Sequence, residues 1–149
     1  MISWSIKSFD ELIKNELYDL LKLRSEVFVV EQNCVYQDID DKDIKGTHFF
    51  GQDGSDLIAY LRVMEVGVLY PNHMSIGRVV VKQTHRNKKL GNEILANAID
   101  FCRKKFPKTP IKISAQTHLK SFYNQLGFEF KGEAYLEDGI PHCAMYLEE

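Results

Sequence analysis

Long apolar runs are missing from this sequence of 149 residues, and no stretch reaches the length that a membrane-spanning helix needs. The first residues, Met1 to Ser5, also lack the basic segment followed by an apolar one that marks a secretory signal. Cysteine is scarce, and three residues without paired spacing argue against a disulfide framework and against a CxxC zinc or redox site. We therefore expect a cytoplasmic protein with reduced thiols and no membrane partner.

Positive charge is not in surplus either, because the formal net charge is −2. Such a balance gives no general attraction to nucleic acid, so phosphate binding requires a local basic patch. The histidines show no paired ligand spacing, which disfavours zinc. The acidic run at residues 38–43 has Lys42 at a ligand position and lacks the required glycine and glutamate, which disfavours calcium. We expect no metal site.

The hydrophobic residues that are present, 44% of the chain, suffice for the core of one domain spanning residues 1–149. Helical spacing of apolar residues predicts a helix over residues 9–30, and a polar, acidic segment after it predicts a loop over residues 33–46. Residues 48–52 and 57–66 read as strands of a hairpin, because Asp53 and Gly54 favour a tight turn. A nearly continuous apolar run predicts a further strand over residues 74–81.

A basic turn then precedes a second helical pattern, which runs from Leu90 to Cys102. Alternation predicts a strand over residues 111–115. A short helix should follow, with Thr117 as its N-cap and Gly127 in the left-handed conformation after its end. Further strands are predicted from Phe128 onward and over residues 142–147, with a turn over residues 137–141 between them.

The basic turn carries the first functional motif. Residues 86–91 read Arg-Asn-Lys-Lys-Leu-Gly, directly before a helix. A helix N-terminus with free amides and a nearby glycine can hold a pyrophosphate, and Arg86, Lys88 and Lys89 add charge. A solvated basic surface is the alternative interpretation.

A second motif joins Phe122 and Tyr123 to a Leu-Gly-Phe run that begins at Leu126. With the basic turn it resembles the GNAT superfamily of N-acetyltransferases, although Lys89 replaces the first glycine of that pattern and Gln116 stands where members often have asparagine. Residues 23–43 and 137–142 are similar to the ElaA-like branch. The resemblance covers essentially the whole chain.

The resemblance implies a single-domain α/β fold with a mixed, twisted central sheet of about seven strands and helices on both faces. It also implies that acetyl-CoA binds where the strands of residues 74–81 and 111–115 splay apart. The cofactor-binding residues implied are Val79, Val80, Val81, Arg86, Asn87, Lys88, Lys89, Leu90, Gly91, Asn92, Gln116 and Tyr123.

By the same resemblance, Tyr123 faces the cofactor sulfur, where its hydroxyl suits protonation of the leaving thiolate. A core tyrosine bonded to the backbone is the alternative. Superfamily members often carry a glutamate base on the strand before the phosphate loop. Residues 74–81 contain no carboxylate, so Glu31 and His142 are the candidate bases.

Arg24 lies on the apolar helix face, where a charge requires a partner. Either it forms a structural ion pair, or it lines an acceptor cleft together with Glu31 and His142. Asp40 belongs to the acidic loop, which is either solvated or attracts a cationic amine. The acceptor-side candidates are therefore Arg24, Glu31, Asp40 and His142.

The resemblance implies direct transfer of an acetyl group from acetyl-CoA to a small-molecule or peptide amine. The alternatives are an acyl-CoA-binding sensor without catalysis and, less in keeping with the charge, a nucleic-acid-binding domain that uses residues 85–89. A homodimer is compatible with the sequence.

Overall fold

A computed structural model describes residues 1–148, which form eight strands and three α-helices. A π-helical segment, Ser25–Glu31, continues the first helix. The elements in chain order are β1 (Ile2–Ser8), α1 (Lys14–Arg24), β2 (Thr47–Asp53), β3 (Asp56–Met64), β4 (Ser75–Val81), α2 (Leu90–Lys105), β5 (Ile111–Gln116), α3 (Lys120–Gln125), β6 (Glu129–Phe130), β7 (Tyr135–Glu137) and β8 (Ile140–Leu147).

The strands form two antiparallel sheets. The first has the order β1-β2-β3-β4, and in the second β5, β6 and β7 all pair with β8. A parallel bridge between Met74 and Ile111 joins the sheets, with the Lys112 amide donating to the Met74 carbonyl at 2.8 Å. Beyond this bridge β4 and β5 diverge, which leaves a cleft between the two sheets.

Helices cover the first sheet on both sides because its strands bury alternate residues on opposite faces. Leu20 and Leu23 of α1 pack against Phe50 and Tyr60 on one face. On the other face, Ile94 and its neighbours in α2 join the core that continues into the second sheet. The predicted α/β class with helices on both faces is confirmed, with eight strands in two joined sheets. No helix within residues 1–148 is both long and apolar enough to cross a membrane.

The long helix predicted over residues 9–30 is wrong at its start, and its last part, Ser25–Glu31, is helical but of the π type. Residues 9–13 form a turn, and α1 begins at Lys14, where the Glu16 carboxylate accepts from the Ile13 amide. After Arg24 the backbone bonds widen, as shown by the bond of the Cys34 amide to the Val29 carbonyl. Apolar spacing alone did not distinguish these i→i−5 bonds from the i→i−4 bonds of an α-helix.

The N-cap predicted at Thr117 is also wrong, because residues 117–119 form a 3₁₀ turn and α3 begins at Lys120. Gly127 does take a positive φ of 99°, as predicted. Strands β1 and β7 were not predicted. β1 has seven residues, and the alternation of Ile2, Trp4 and Ile6 with polar residues was the signal that was overlooked. β7 has only three residues, all exposed, so it presents no apolar run.

Two local distortions shape the cleft. Asp138 and Gly139 both have positive φ, 51° and 77°, and form the two-residue turn that joins β7 to β8. On β4, Gly77 pairs with Arg62 and Val80 with Tyr60, so one extra residue bulges at the cleft. Arg78 occupies this bulge with a φ of 54°, an uncommon conformation for a side chain of its size.

Candidate functional site

The cleft between β4 and β5 contains a cavity of about 120 Å³, here called the cleft cavity. It lies where the backbone edges of the two sheets separate, and residues from six parts of the chain surround it. They are Phe28, Gln32, Cys34, Tyr36, Ile76, Gly77, Arg78, Val79, Ile113, Ser114, Ala115, Gln116, Leu119, Tyr123, Glu137, Asp138, Ile140 and His142.

A second, wider cavity of about 580 Å³, here called the side cavity, adjoins it. The two cavities share one wall, and the other residues that line the side cavity are Gln37, Asp40, Arg62, Met64, Leu69, Tyr70 and Ser75. The shared residues are Tyr36, Ile76, Gly77, Arg78, Ser114, Glu137 and Asp138. A ligand in the side cavity can therefore reach one in the cleft cavity.

One edge of β4 faces the cleft. The Lys82 amide donates to the Ile58 carbonyl across the β3–β4 pair at 2.8 Å, so alternation turns the backbone groups of Val80 toward β3 and those of Val81 toward the cleft. Val79 lines the cleft cavity. Val79 and Val81 are thus placed to bond an extended ligand, whereas the predicted contact through Val80 is corrected, because its groups belong to the sheet.

The basic turn presents free amides at the start of α2. The first helical bond runs from Glu93 to the Lys89 carbonyl, so the amides of Leu90, Gly91 and Asn92 have no partner within the helix. Asn87 and Lys89 have positive φ values of 65° and 59°. Alternation of left-handed with ordinary residues turns successive N–H groups into a concavity that suits an anion.

The backbone conformation at Lys89 accounts for the glycine that the related pattern has at this position. Its φ of 59° lies in the left-handed region, where a side chain costs about 1 kcal/mol. Gly91, in contrast, has an ordinary φ, and a Cβ added there would meet Phe122 at 3.6 Å. Alanine therefore fits at residue 91, while a large side chain would intrude on the turn.

Arg86 is already engaged in this structure. Its Nε donates to the Val81 carbonyl at 3.0 Å, and its two terminal nitrogens bond the Glu31 carboxylate at 2.5 and 2.9 Å. The contact fastens the π-helical segment to the turn. Glu31 lies at this end of the cleft and does not line the cleft cavity.

Tyr123 lies at the base of the cleft cavity with only 7% of its surface exposed. Its ring is held edge-on by Phe122 and Phe128, at centroid distances of 5.1 and 5.9 Å. Burial raises the pKa of Tyr123 to about 12, so the hydroxyl stays protonated at neutral pH. No residue from 1 to 148 hydrogen-bonds this hydroxyl, which leaves it free to donate to a ligand.

His142 lines the same cavity, and its register explains its surroundings. On β8 it pairs with Gln116 of β5 on one side and with Tyr135 of β7 on the other. The Tyr135 ring stacks on the imidazole at 6.3 Å. Alternation turns the next residue, Cys143, into the core instead. Gln116 also lines the cavity, with its amide 3.4 Å from the Gln32 side chain.

The tautomer of His142 follows from one contact. Its Nδ1 is 2.7 Å from the Ile140 carbonyl, which can only accept, so Nδ1 carries the proton of the neutral ring. Nε2 then holds the free lone pair, 3.5 Å from a Glu137 carboxylate oxygen. His142 thus offers a proton acceptor inside the cavity.

Three arginines and three aspartates close into a ring beside the side cavity. Each member contacts two of the opposite charge, at 2.5 to 3.3 Å, in the order Arg24, Asp38, Arg78, Asp40, Arg62, Asp43 and back to Arg24. Burial disfavours the charged forms of these side chains, but their hydrogen bonds and ion pairs with one another stabilise those forms by more. The pKa values of Asp40 and Asp43 are therefore lowered, and those of Arg24 and Arg62 are raised. The ring joins the acidic loop to α1, β3 and β4.

This ring corrects the acceptor-side predictions. Arg24 is completely buried, so it cannot contact an acceptor, and the structural ion pair is the arrangement found. Arg24, Glu31 and His142 do not line one cleft. Asp40 does border the side cavity, but Arg62 and Arg78 already compensate its charge. Only His142 of the four lines the cleft cavity.

A buried polar pair supports the ring from behind. The Tyr60 hydroxyl is 2.6 Å from Nδ1 of His48, whose Nε2 is 2.8 Å from the Asp43 carbonyl. Since that carbonyl accepts, Nε2 carries the proton and Tyr60 donates to Nδ1. Burial lowers the pKa of His48, which keeps the ring neutral.

Sequence reasoning did not assign a role to Glu137, Tyr36, Arg62 or Arg78, all of which border the cavities. Glu137 was noted only as part of the motif over residues 137–142. Arg62 and Arg78 are charges within otherwise apolar strands, and that contrast was the available signal. Within the described part of the chain, no group of three or more His, Cys, Asp or Glu side chains could hold a metal ion.

Comparison with known proteins places this geometry in a family. A family model described as an acetyltransferase (GNAT) domain matches residues 15–149. The chain is 42% identical to Protein ElaA of Escherichia coli K12 over 99% of this chain and 97% of that protein. The crystal structure of Escherichia coli ElaA superposes with a TM-score of 0.93 at 39% identity, covering 99% of this chain and all of that one.

A crystal structure described as an acyl-CoA N-acyltransferase from Pseudomonas aeruginosa is similar to the same degree. It matches with a TM-score of 0.93 and 38% identity, and the match covers 99% of both chains.

Proposed function

The chain belongs to the GNAT acetyltransferase family, and we propose that it transfers the acetyl group of acetyl-CoA directly to a primary amine. Its domain is that of an acyl-CoA-dependent acyltransferase. The observation that carries the proposal is the cleft cavity, which is lined both by Tyr123, whose hydroxyl stays protonated, and by His142, whose Nδ1 is held by the Ile140 carbonyl.

The donor side is supported by two features of the fold. The open edge of β4 at Val79 and Val81 offers backbone groups to the extended arm of the cofactor, as an added strand would use them. The free amides of residues 90–92, with Arg86, Asn87, Lys88 and Lys89 around them, would hold its pyrophosphate. Bound acetyl-CoA supplies the thioester carbonyl that an amine attacks.

The acceptor must lose a proton to react. A lysine-like amine is neutral in about one molecule per thousand near pH 7.4, a cost of about 4 kcal/mol. His142 Nε2 is the proton acceptor within the cavity, and the Ile140 carbonyl holds its ring in the required tautomer. Glu31 is placed to position Arg86 instead.

The thiolate that leaves needs a hydrogen-bond donor, which Tyr123 provides. A thiol with a pKa of about 8.5 is a stronger acid than a tyrosine at about 12, so full proton transfer from Tyr123 to sulfur is uphill by about 5 kcal/mol. We therefore assign Tyr123 a hydrogen bond to the developing negative charge on sulfur rather than complete proton donation. Water returns the thiol proton afterwards.

The acceptor approaches through the side cavity, whose volume of about 580 Å³ suits a small-molecule amine or the end of a peptide. A sensor that binds acetyl-CoA without turnover would share the donor features. It would not need a histidine with a free nitrogen opposite a free tyrosine hydroxyl.

The proposal is tested by mixing the protein with acetyl-CoA and a panel of primary amines, polyamines and peptide N-termini. Release of CoA together with the acetylated amine, identified by mass, is the expected result. A thermal shift with acetyl-CoA but no acetylated product from any amine would identify a sensor instead.

The donor site has its own control in the same assay. Gly91→Trp should remove the thermal shift produced by acetyl-CoA, because the indole intrudes on the turn. Gly91→Ala should keep it, since the added methyl fits against Phe122. Equal acetyl-CoA affinity in the wild type and Gly91→Trp would disprove the phosphate-turn assignment.

A further inference from the structure

Glu137 connects the two cavities. Its carboxylate borders both, with its side chain about half exposed. It lies 3.2 Å from the Ser114 hydroxyl and 3.5 Å from His142 Nε2. His142 borders only the cleft cavity. A molecule that moves from the side cavity toward the thioester position therefore meets Glu137 before His142.

The position of Glu137 is fixed by the hairpin. The tight turn at Asp138 and Gly139 places Glu137 opposite Ile140. Ile140 is two residues before His142 on β8, so Glu137 and His142 lie on the same face of the sheet. Ser114 on β5 bonds both Glu137 and the Tyr135 hydroxyl, which is 2.5 Å away. The carboxylate is thus held toward the cavities by contacts from two neighbouring strands.

No lysine or arginine among residues 1–148 pairs with the Glu137 carboxylate. The arginines that border the cavities, Arg62 and Arg78, are each engaged by two aspartates of the ring. Among residues 1–148, the side-chain partners of Glu137 are Ser114 and His142.

The other titratable or charged groups around the cleft cavity do not supply a cation either. They are Cys34, Tyr36, Arg78, Tyr123 and Asp138, and Tyr135 covers the imidazole face. Arg78 is held by Asp38 and Asp40. The wall beside His142 therefore favours a cationic ligand.

Resting on the proposed function, we propose that Glu137 binds the acceptor as its ammonium ion and that His142 then takes one proton from it. In this step the N–H bond breaks, its electron pair stays on the amine nitrogen, and the proton bonds to Nε2 of His142. The imidazolium that forms lies beside the Glu137 carboxylate, which stabilises it. The imidazolium later returns the proton to solvent.

This arrangement lets the site use the abundant form of its substrate. A site that bound only the neutral amine would wait for about one molecule in a thousand. Glu137 is a substrate-binding residue that also stabilises protonated His142, and it selects acceptors that are cations at neutral pH.

The test compares acceptors that differ in charge. At about pH 7.4 n-butylamine is a cation, whereas 2,2,2-trifluoroethylamine is neutral because fluorine weakens the base. Glu137→Gln should lower kcat/KM for n-butylamine about tenfold, mainly through KM, because the ammonium loses a charged hydrogen-bond partner. The same variant should change kcat/KM for trifluoroethylamine by less than about threefold, which reflects the His142 contact alone.

Glu129→Gln is the matched control, because Glu129 is exposed on β6, which also pairs with β8. It should leave both amines unchanged. Glu137→Asp should restore part of the n-butylamine rate.

Three results would contradict the proposal in different ways. An equal loss for both amines in Glu137→Gln, or no loss for either, overturns the role of Glu137 and leaves the proposed function intact. Absence of acetylated product from either amine and from the wider panel with wild-type protein overturns the proposed function and this inference together.

Discussion

The Arg86 guanidinium and the Glu31 carboxylate form a two-bonded ion pair, 2.5 and 2.9 Å long, at the phosphate end of the cleft. The pair joins the π-helical segment to the turn that precedes α2. Both side chains are about one-third exposed. Glu31 therefore lies where the donor's phosphates would bind and away from the cavity that holds His142.

Glu31→Gln should accordingly change the binding of acetyl-CoA rather than its turnover. Removing the carboxylate frees Arg86 and removes a negative charge from the phosphate site, so we expect affinity to rise by up to about fivefold. The value of kcat should stay within about twofold. Calorimetry and initial rates measure the two quantities, and Glu26→Gln, on the same segment, is the control. A tenfold fall in kcat with unchanged affinity would restore Glu31 as the base.

Replacement of Lys89 by glycine should stabilise the protein without ligand. The φ of 59° destabilises the folded state of a residue with a side chain by about 1 kcal/mol, and glycine removes this strain. Glycine also gives the unfolded chain more conformational freedom, which offsets about half of the gain. We expect the free energy of unfolding to rise by about 0.5 kcal/mol. Lys88→Gly, next to it but without a positive φ, should destabilise instead. Urea unfolding of both variants checks the sign, and a loss of stability in Lys89→Gly would contradict this account of the turn.

Breaking the arginine–aspartate ring should be costly. Arg24→Met removes a completely buried cation and leaves the carboxylates of Asp38 and Asp43 with one partner each. Removing one member of a buried pair costs about 3 to 5 kcal/mol, and we expect a loss of that size in urea unfolding. Lys22→Met, on the same helix but at an exposed site, is the control and should change stability little. A loss below about 1 kcal/mol would show that the ring contributes little.

The sequence indicated one of the six members of this ring, and it left a structural ion pair as one of two alternatives. A charge at Arg24 on an apolar helix face indicated a buried partner. Its ion-pair partners, Asp38 and Asp43, both lie after the helix in the acidic loop, 14 and 19 residues away, at separations that periodicity does not encode. The β2–β3 hairpin could be predicted because Asp53 and Gly54 fix a local turn. The role of Glu137 could not, because it depends on two β8 pairings and on how far β4 and β5 diverge.

Stability should fall on acidification in two stages. Burial lowers the pKa of His48 below the 6.5 of an unfolded histidine, so the unfolded chain binds the proton first, and stability is lost as pH falls below about 6.5. Asp40 and Asp43 also have lowered pKa values, so a further loss begins as pH falls toward and below about 3.8.

Urea unfolding across this pH range measures both stages. In His48→Gln the free energy of unfolding should no longer fall as the pH drops below about 6.5, because glutamine does not titrate. His118→Gln, at an exposed site, should leave the stage unchanged. An identical slope in the wild type and His48→Gln would contradict the assignment to His48.

The substitution Tyr123→Phe tests whether the cleft between β4 and β5 is the catalytic site. The substitution removes one hydroxyl and keeps the ring between Phe122 and Phe128, so the packing should survive. We expect kcat to fall about tenfold to a hundredfold, the contribution of a hydrogen bond to a charged atom, with acetyl-CoA affinity within about twofold. Tyr18→Phe, at an exposed site on α1, should change neither quantity. Measured on one preparation, undiminished kcat together with unchanged acetyl-CoA affinity in Tyr123→Phe would contradict the account.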